Sequence, residues 1–179
     1  MDQDTISHVI FPAGPGDALA LAQTHVAAWR ESYRGLIADS YLDRMSVPVH
    51  ARRFERSLIQ PGPHDATLAV ADRVGIVGYA SGGPSRSRRP GEAEIHTLYV
   101  RLAAQRQGLG ERLLIAMARV FADQGARSLM ISTLRDNLPA RRFYEHLGGE
   151  ATAPRREPGP GGLVHEVSYL WPDIGALVQ

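Results

Sequence analysis

Leu98-Tyr99-Val100-Arg101-Leu102-Ala103-Ala104-Gln105-Arg106-Gln107-Gly108-Leu109-Gly110-Glu111-Arg112-Leu113-Leu114 reads as an apolar strand that passes through a glycine loop straight into a helix. Gly108 and Gly110 carry no side chain, so the backbone there can approach a ligand closely. The helix behind them opens with unpaired N–H groups and the positive end of its dipole. Together these make an anion site, best suited to a phosphate or pyrophosphate. Arg106 adds a charge-assisted contact. The loop is not Gly-x-Gly-x-x-Gly and lacks Gly-Lys-Ser/Thr, which removes the dinucleotide and nucleoside-triphosphate fingerprints. Taken alone, an ordinary strand-to-helix turn with two glycines would read the same way.

Residues 137–149 supply a second segment, a short helix with a marked start and stop. Asn137 is a good N-cap, Pro139 fits the first turn, and Gly148 can end the helix in left-handed geometry. Asn137 and Tyr144 are seven residues apart. Seven steps of ~100° return to nearly the same face, with the two roughly 10 Å apart along it. A linear ligand can then meet an amide at one point and a phenol at another.

Gln105-x-x-Gly108-x-Gly110 followed by Asn137-x-x-Ala140-x-x-Phe143-Tyr144 resembles the GNAT acyltransferase superfamily, in its acyl-coenzyme A loop and its Asn…Tyr helix. Residues 28–36, Ala-Trp-Arg-Glu-Ser-Tyr-Arg-Gly-Leu, are similar to the first-helix region of many small bacterial members. The resemblance covers residues 6–171 and its two motifs stand in the family's order. It implies an α/β GNAT-type acyl-CoA N-acyltransferase fold, with a mixed central sheet flanked by helices. It also implies acetyl-CoA as cosubstrate, with the pyrophosphate over Gln105, Arg106, Gln107, Gly108, Leu109 and Gly110. The pantetheine arm would lie along Leu98, Tyr99 and Val100, where a backbone N–H would hold the oxyanion. Asn137, with Ala140 and Phe143, would contact that arm from the other side. Homodimers are common in the family.

The 179 residues suffice for one well-cored domain, expected to span 1–179. Apolar content of 44% and charged content of 22% are ordinary for a globular protein. A net charge of +1 implies no global steering toward nucleic acid or membrane. With no cysteine, a disulfide framework, a thiolate metal site and a cysteine nucleophile are all excluded. All twenty basic residues are arginine, which removes lysine Schiff-base chemistry. No stretch approaches the ~20 apolar residues of a membrane helix. The acidic start lacks a signal-peptide pattern, so a cytoplasmic location is expected.

Periodicity and turn chemistry divide the rest of the chain. Strands are expected at 6–11, 67–71, 75–81, 94–100, 127–134 and 163–171. Helices are expected at 17–30, 39–44, 49–59 and 111–124. Ala18, Leu21, Ala22, His25 and Trp29 make the inner stripe of the first helix; Leu109, Leu113, Met117, Val120 and Phe121 make that of the last. Strand, helix, strand around the glycine loop imply a parallel pair with a right-handed crossover. The loop then sits at a strand's carboxyl end, where open α/β sheets place ligands. The last strand is expected to pair with residues 150–153. Residues 82–91 and 153–162 read as loops.

Acyl transfer to an amine needs a base for the ammonium and an acid for the thiolate. Tyr144 is the acid candidate, since a phenol near pKa ~10 is balanced against an alkyl thiol. The family places a tyrosine beside the coenzyme A sulfur; a packed aromatic beside Phe143 and Leu147 is the other reading. Glu94 and His96 are the base candidates. Two apart on a strand, they are expected to share a face that Leu98 and Val100 continue. Histidine's pKa of about 6.5 suits a base, and a desolvated glutamate can rise into range. Direct action, action through water and a purely structural role stay open, with Glu94 slightly ahead. Trp29 and Tyr33 line the acceptor pocket or belong to the core. The histidines show no metal spacing, so no metal is expected.

The favoured activity is transfer of acetyl from acetyl-CoA to a primary amine, small-molecule or peptide, without a covalent enzyme intermediate. The alternatives are an acyl-CoA-binding sensor with little turnover and a nucleic-acid-directed acetyltransferase toxin. The second would use Arg86, Arg88, Arg89, Arg155 and Arg156 as a basic surface, but these loops lack interleaved aromatics.

Overall fold

The computed structural model describes residues 7–87 and 89–178. Ile6, where the first strand was expected to begin, and Arg88 of the basic loop lie outside the described residues. The elements are β1 (Val9–Pro12), α1 (Ala18–Tyr33), α2 (Asp39–Asp43), α3 (Val47–Ile59), β2 (Ala66–Ala71), β3 (Ile76–Pro84), β4 (Glu92–Val100), α4 (Leu109–Asp123), β5 (Ser128–Leu134), α5 (Leu138–His146), β6 (Glu150–Ala151), β7 (Arg155–Gly159), β8 (Gly162–Trp171) and α6 (Gly175–Val178). The strands form a mixed sheet in the order β1-β2-β3-β4-β5-β8-β6, with β7 added to β8. β4 and β5 are parallel, joined through α4, while the other pairs are antiparallel.

Each strand's alternation assigns its two faces. Leu68 and Val70 pack with the α4 side chains Leu109, Leu113, Met117 and Phe121, while Ala69 points the other way, toward Leu21 of α1 and Phe54 of α3. Helices α4, α5 and α6 therefore cover one face of the sheet, and α1 and α3 the other. The inner stripes read from the sequence hold, except that Val120 and Trp29 are only partly buried.

Beyond small shifts at the end of α1 and the starts of β4 and α4, three departures bear on the architecture. Residues 82–84, read as loop, continue β3 and pair with β4. Residues 155–159, read as loop, form β7 in a hairpin with β8. Their arginines and prolines hid a strand that β8 completes, because pairing overrides local propensity at an edge. Helix α3 begins two residues early, at Val47, since Pro48 fits a first helical turn instead of breaking it.

The α1 face buries a histidine. His25 Nδ1 is hydrogen-bonded to the Tyr79 hydroxyl at 2.6 Å, with the donor set by the ring's tautomer. Burial first, then the charges of His50 and Arg53, lower its pKa to about 3. The unfolded chain takes up a proton at His25 near 6.5 and the folded chain only near 3. Between those values the unfolded state binds more protons, so stability falls as pH drops through the window. Thermal unfolding from pH 7 down to pH 4 should show this fall. His25→Gln, which can still hydrogen-bond Tyr79, should flatten it; an unchanged slope would remove His25 as its source.

Candidate functional site

The site originates in one irregularity of β4. Ser81 pairs with Thr97 but Gly82 pairs with Ile95, so His96 is an extra residue, a β-bulge. Its first consequence is that the side-chain alternation changes phase. Ala93 and Ile95 face α4 before the bulge, and Leu98 and Val100 face it afterwards. The expected common face of Glu94, Leu98 and Val100 is therefore wrong: the face of Glu94 continues through Thr97 and Tyr99. The second consequence is a split in the sheet. The β4–β5 ladder ends at Ile95 and Ile131, although the strands run on to Val100 and Leu134. A cleft of about 560 Å³ opens between the separated ends and extends to the glycine loop. Gly82 is required here, because a Cβ would collide with the Glu94 carbonyl.

The loop at the cleft mouth is shaped for an anion. Arg106 and Gly108 take positive φ values of 61° and 74°. Gly108 caps α4, and a left-handed residue there places the first N–H groups of the helix at the cleft. A side chain at residue 108 would be strained by the backbone alone. Gln105 turns inward and donates from Nε2 to the Val100 carbonyl at 3.0 Å, tying the loop to the strand end. Arg106, Leu109 and Gly110 line the cleft with Leu98, Tyr99 and Val100; Gln107 is not among the lining residues.

Opposite them stands α5. Asn137 Oδ1 accepts from the Ala140 N–H at 3.3 Å, as an N-cap should. Asn137, Ala140, Phe143 and Tyr144 all line the cleft, so the seven-residue spacing does put amide and phenol on one face. Tyr144 is 5% exposed, its ring packed against Phe143 and Tyr169. Its hydroxyl has no hydrogen-bond partner among the described residues, and burial pushes its pKa up.

The two base candidates have opposite environments. Glu94 is fully buried and lines neither cavity. Its carboxylate accepts three hydrogen bonds from Arg86: from the backbone N–H at 2.8 Å, from Nε at 2.9 Å and from Nη2. His96 is turned outward by the bulge and lines both the cleft and a second cavity. Desolvation first, with Arg86 adding, lowers its pKa against the opposing pull of Glu94. His96 is therefore largely neutral near pH 7.

The second cavity, of about 160 Å³, meets the cleft at Tyr33, His96, Thr97, Tyr99, Ser132 and Thr133. Trp29 lies on its wall with Tyr33, so the two aromatics expected at an acceptor pocket border the same cavity. Tyr33 donates to or accepts from Tyr99 at 2.9 Å. Sequence reasoning missed Thr97 and Glu166 at this cavity and read Arg86 as part of a basic surface loop. Thr97 alone had a legible signal, its neighbourhood to His96. It also missed Glu31, whose carboxylate binds Arg101 Nη2 at 2.9 Å and the Leu102 N–H at 2.7 Å, joining α1 to the glycine loop. Among the described residues no group of three or more His, Cys, Asp or Glu side chains is arranged to hold a metal, and no helix is long and apolar enough to cross a membrane.

Residues 26–149 match the Acetyltransferase (GNAT) family. The chain is 29% identical to the uncharacterized N-acetyltransferase YuaI of Bacillus subtilis, over 90% of this chain and 91% of that protein. Its fold superposes on YncA from Salmonella typhimurium, an acetyltransferase structure solved with its cofactor acetyl-CoA, with a TM-score of 0.70 and 20% identity over 92% of this chain and 93% of that one. It also superposes on the PaiA N-acetyltransferase of Thermoplasma acidophilum, solved with coenzyme A, with a TM-score of 0.69 and 16% identity over 90% and 98%. The chain belongs to the Acetyltransferase (GNAT) family, and its activity is acyl transfer.

The Arg86–Glu94 pair makes a stability prediction. Arg86→Met leaves a fully buried carboxylate without its guanidinium. The cost should be about 1–2 kcal/mol, the lower part of the range for charged hydrogen bonds because Arg86 is largely exposed. Adding Glu94→Gln should recover part of it, since a neutral amide is cheaper to bury. Urea unfolding of the single and double variants checks both signs.

Proposed function

We propose that the chain is a single-domain N-acetyltransferase that moves the acetyl group of acetyl-CoA directly onto a primary amine. The observation that carries this reading is the junction of the two cavities, where His96 borders both and Tyr144 stands in the cofactor cleft. Acetyl-CoA is the cosubstrate. Its pyrophosphate would take the N–H groups behind Gly108, and its pantetheine arm would run between the end of β4 and Asn137. The fit rests on the left-handed loop, the open cleft and a free helix N-terminus.

The amine arrives as ammonium in the second cavity, against Trp29 and Tyr33. We assign its deprotonation to His96, directly or through one water, and not to Glu94, whose lone pairs are occupied by Arg86. The free amine attacks the thioester carbonyl; the new C–N bond forms as the C–S bond breaks. A backbone N–H at residues 98–100 stabilises the developing oxyanion. Tyr144 then donates its proton to the thiolate, and the second proton of the new amide nitrogen returns to the Tyr144 phenolate, directly or through water, while His96 releases its proton to solvent. Burial raises the phenol's pKa, but the thiolate leaves into the same desolvated cleft and is raised too, so the transfer stays near balance.

Thiol release from acetyl-CoA with a panel of amines tests the reading. Tyr144→Phe keeps the ring and removes only the hydroxyl, so kcat should fall roughly 10²–10⁴-fold, with cofactor affinity unchanged by calorimetry. An equal kcat with chemistry rate-limiting removes the acid role. His96 makes the pH prediction. Because its pKa is lowered from 6.5, it loses its proton below that pH, and kcat/KM should fall only as pH drops through that lowered value. His96→Gln should be less active and should lose this acidic limb. An acceptor amine of low pKa separates the limb from the amine's own ionisation. A limb unchanged in His96→Gln assigns the proton to another group.

A further inference from the structure

The second cavity has a distal end that the cofactor cleft does not share, bordered by Trp29, Ile37, Arg86, Leu134, Pro160 and Glu166. Two of these residues are charged. The Arg86 guanidinium is committed to Glu94, through Nε and Nη2. The Glu166 carboxylate has no hydrogen bond or ion pair among the described residues. Arg86, Glu94 and Glu166 together carry one net negative charge at this end of the cavity. Glu166 is half-buried, and burial first, then Glu157 and Glu94, raise its pKa while Arg86 opposes them. It is also held in place: its backbone pairs with Leu134 on one side and Arg155 on the other. Carboxylates kept partly desolvated without a cation are costly unless a ligand supplies one.

The remaining walls suit a short aliphatic cation. Ile37, Leu134 and Pro160 are apolar, and the faces of Trp29 and Tyr33 favour positive charge. The 160 Å³ volume accommodates a chain of a few methylenes. Glu166 lies at the end away from the junction, so it meets the part of the acceptor that does not react.

We propose that the acceptor is a compact aliphatic diamine, with one amine at the His96 junction and the second, still cationic, anchored on the Glu166 carboxylate. This rests on the amine-transfer reading above and narrows it. An amino acid of the same length would bring a carboxylate against Glu166, and a monoamine would leave Glu166 without a counterion.

Three acceptors of matched length separate these cases: 1,4-diaminobutane, n-butylamine and 4-aminobutyrate, each assayed with acetyl-CoA on the full chain. The wild-type kcat/KM should be highest for the diamine, at least about tenfold above butylamine, the effect of one hydrogen bond to a charged group. 4-Aminobutyrate should be the poorest. Glu166→Gln keeps the shape and breaks no internal contact; it should collapse the diamine-to-butylamine ratio toward one. A wild-type ratio near one, or a ratio that survives Glu166→Gln, overturns the proposal and leaves amine transfer standing. Transfer to none of the three while acetyl-CoA binds normally also overturns the proposal, and the amine reading falls with it only if the wider amine panel releases no thiol either.

Discussion

The extra residue at His96 is the constraint on which the site depends. Without it the ladder between β4 and β5 would have no reason to end at Ile95, and the cleft between the strand ends would close. Without the change of phase, Thr97 and Tyr99 would face α4, and Leu98 and Val100 would face α1. The same residue therefore opens the cleft, sends two apolar side chains to its core side and brings its own imidazole to the boundary between the cleft and the second cavity. A bulge trades ladder hydrogen bonds for this arrangement. The sheet offsets the loss through the apolar packing of α4 below it, where Leu113, Leu114, Met117 and Ala118 are fully buried.

Two ion pairs then hold the parts around that opening. Glu31 fastens the end of α1, which carries Trp29 and Tyr33, to Arg101 and Leu102 ahead of the glycine loop. Arg86 fastens the loop after β3 to Glu94, beneath the acceptor cavity. Both carboxylates also accept a backbone N–H, which fixes chain as well as side chain. Exposed ion pairs contribute little on their own. The Arg86–Glu94 pair differs because Glu94 is withdrawn from water entirely, whereas Glu31 stays exposed and acts through geometry. Their role is positional: they set the spacing between the wall of the second cavity and the glycine loop.

The glycine loop, the Asn137 cap and the stops at Gly125 and Gly148 were legible in the sequence because each is a local device with a few residue types able to perform it. The two-face pattern of the strands was legible for the same reason. The bulge was not. Residues 92–100 alternate plausibly whichever phase is assumed, and nothing in Ile95-His96-Thr97 marks the extra residue. Its signal lay on the neighbouring strand, in the Gly82-Gly83 pair, which read as the start of a loop. The charged partners were hidden for a different reason. Arg86 sits among breakers and arginines that look like a solvated loop, and Glu166 alternates on an edge-like strand where an acid ordinarily faces water. Only the three-dimensional pairing of β8 with β5 turns Glu166 toward a cavity.

The exclusive use of arginine has a consequence at this site. At Glu94 a guanidinium supplies two nitrogens to one carboxylate oxygen while the same residue's N–H takes the other, an arrangement the single point charge of an ammonium does not match. Guanidinium groups also stay protonated at any pH where the enzyme is folded, so none presents a nucleophilic nitrogen. An acetyltransferase without lysine thus carries its positive charge in a form that cannot be acylated as a side-chain amine, and no lysine of its own competes for the thioester.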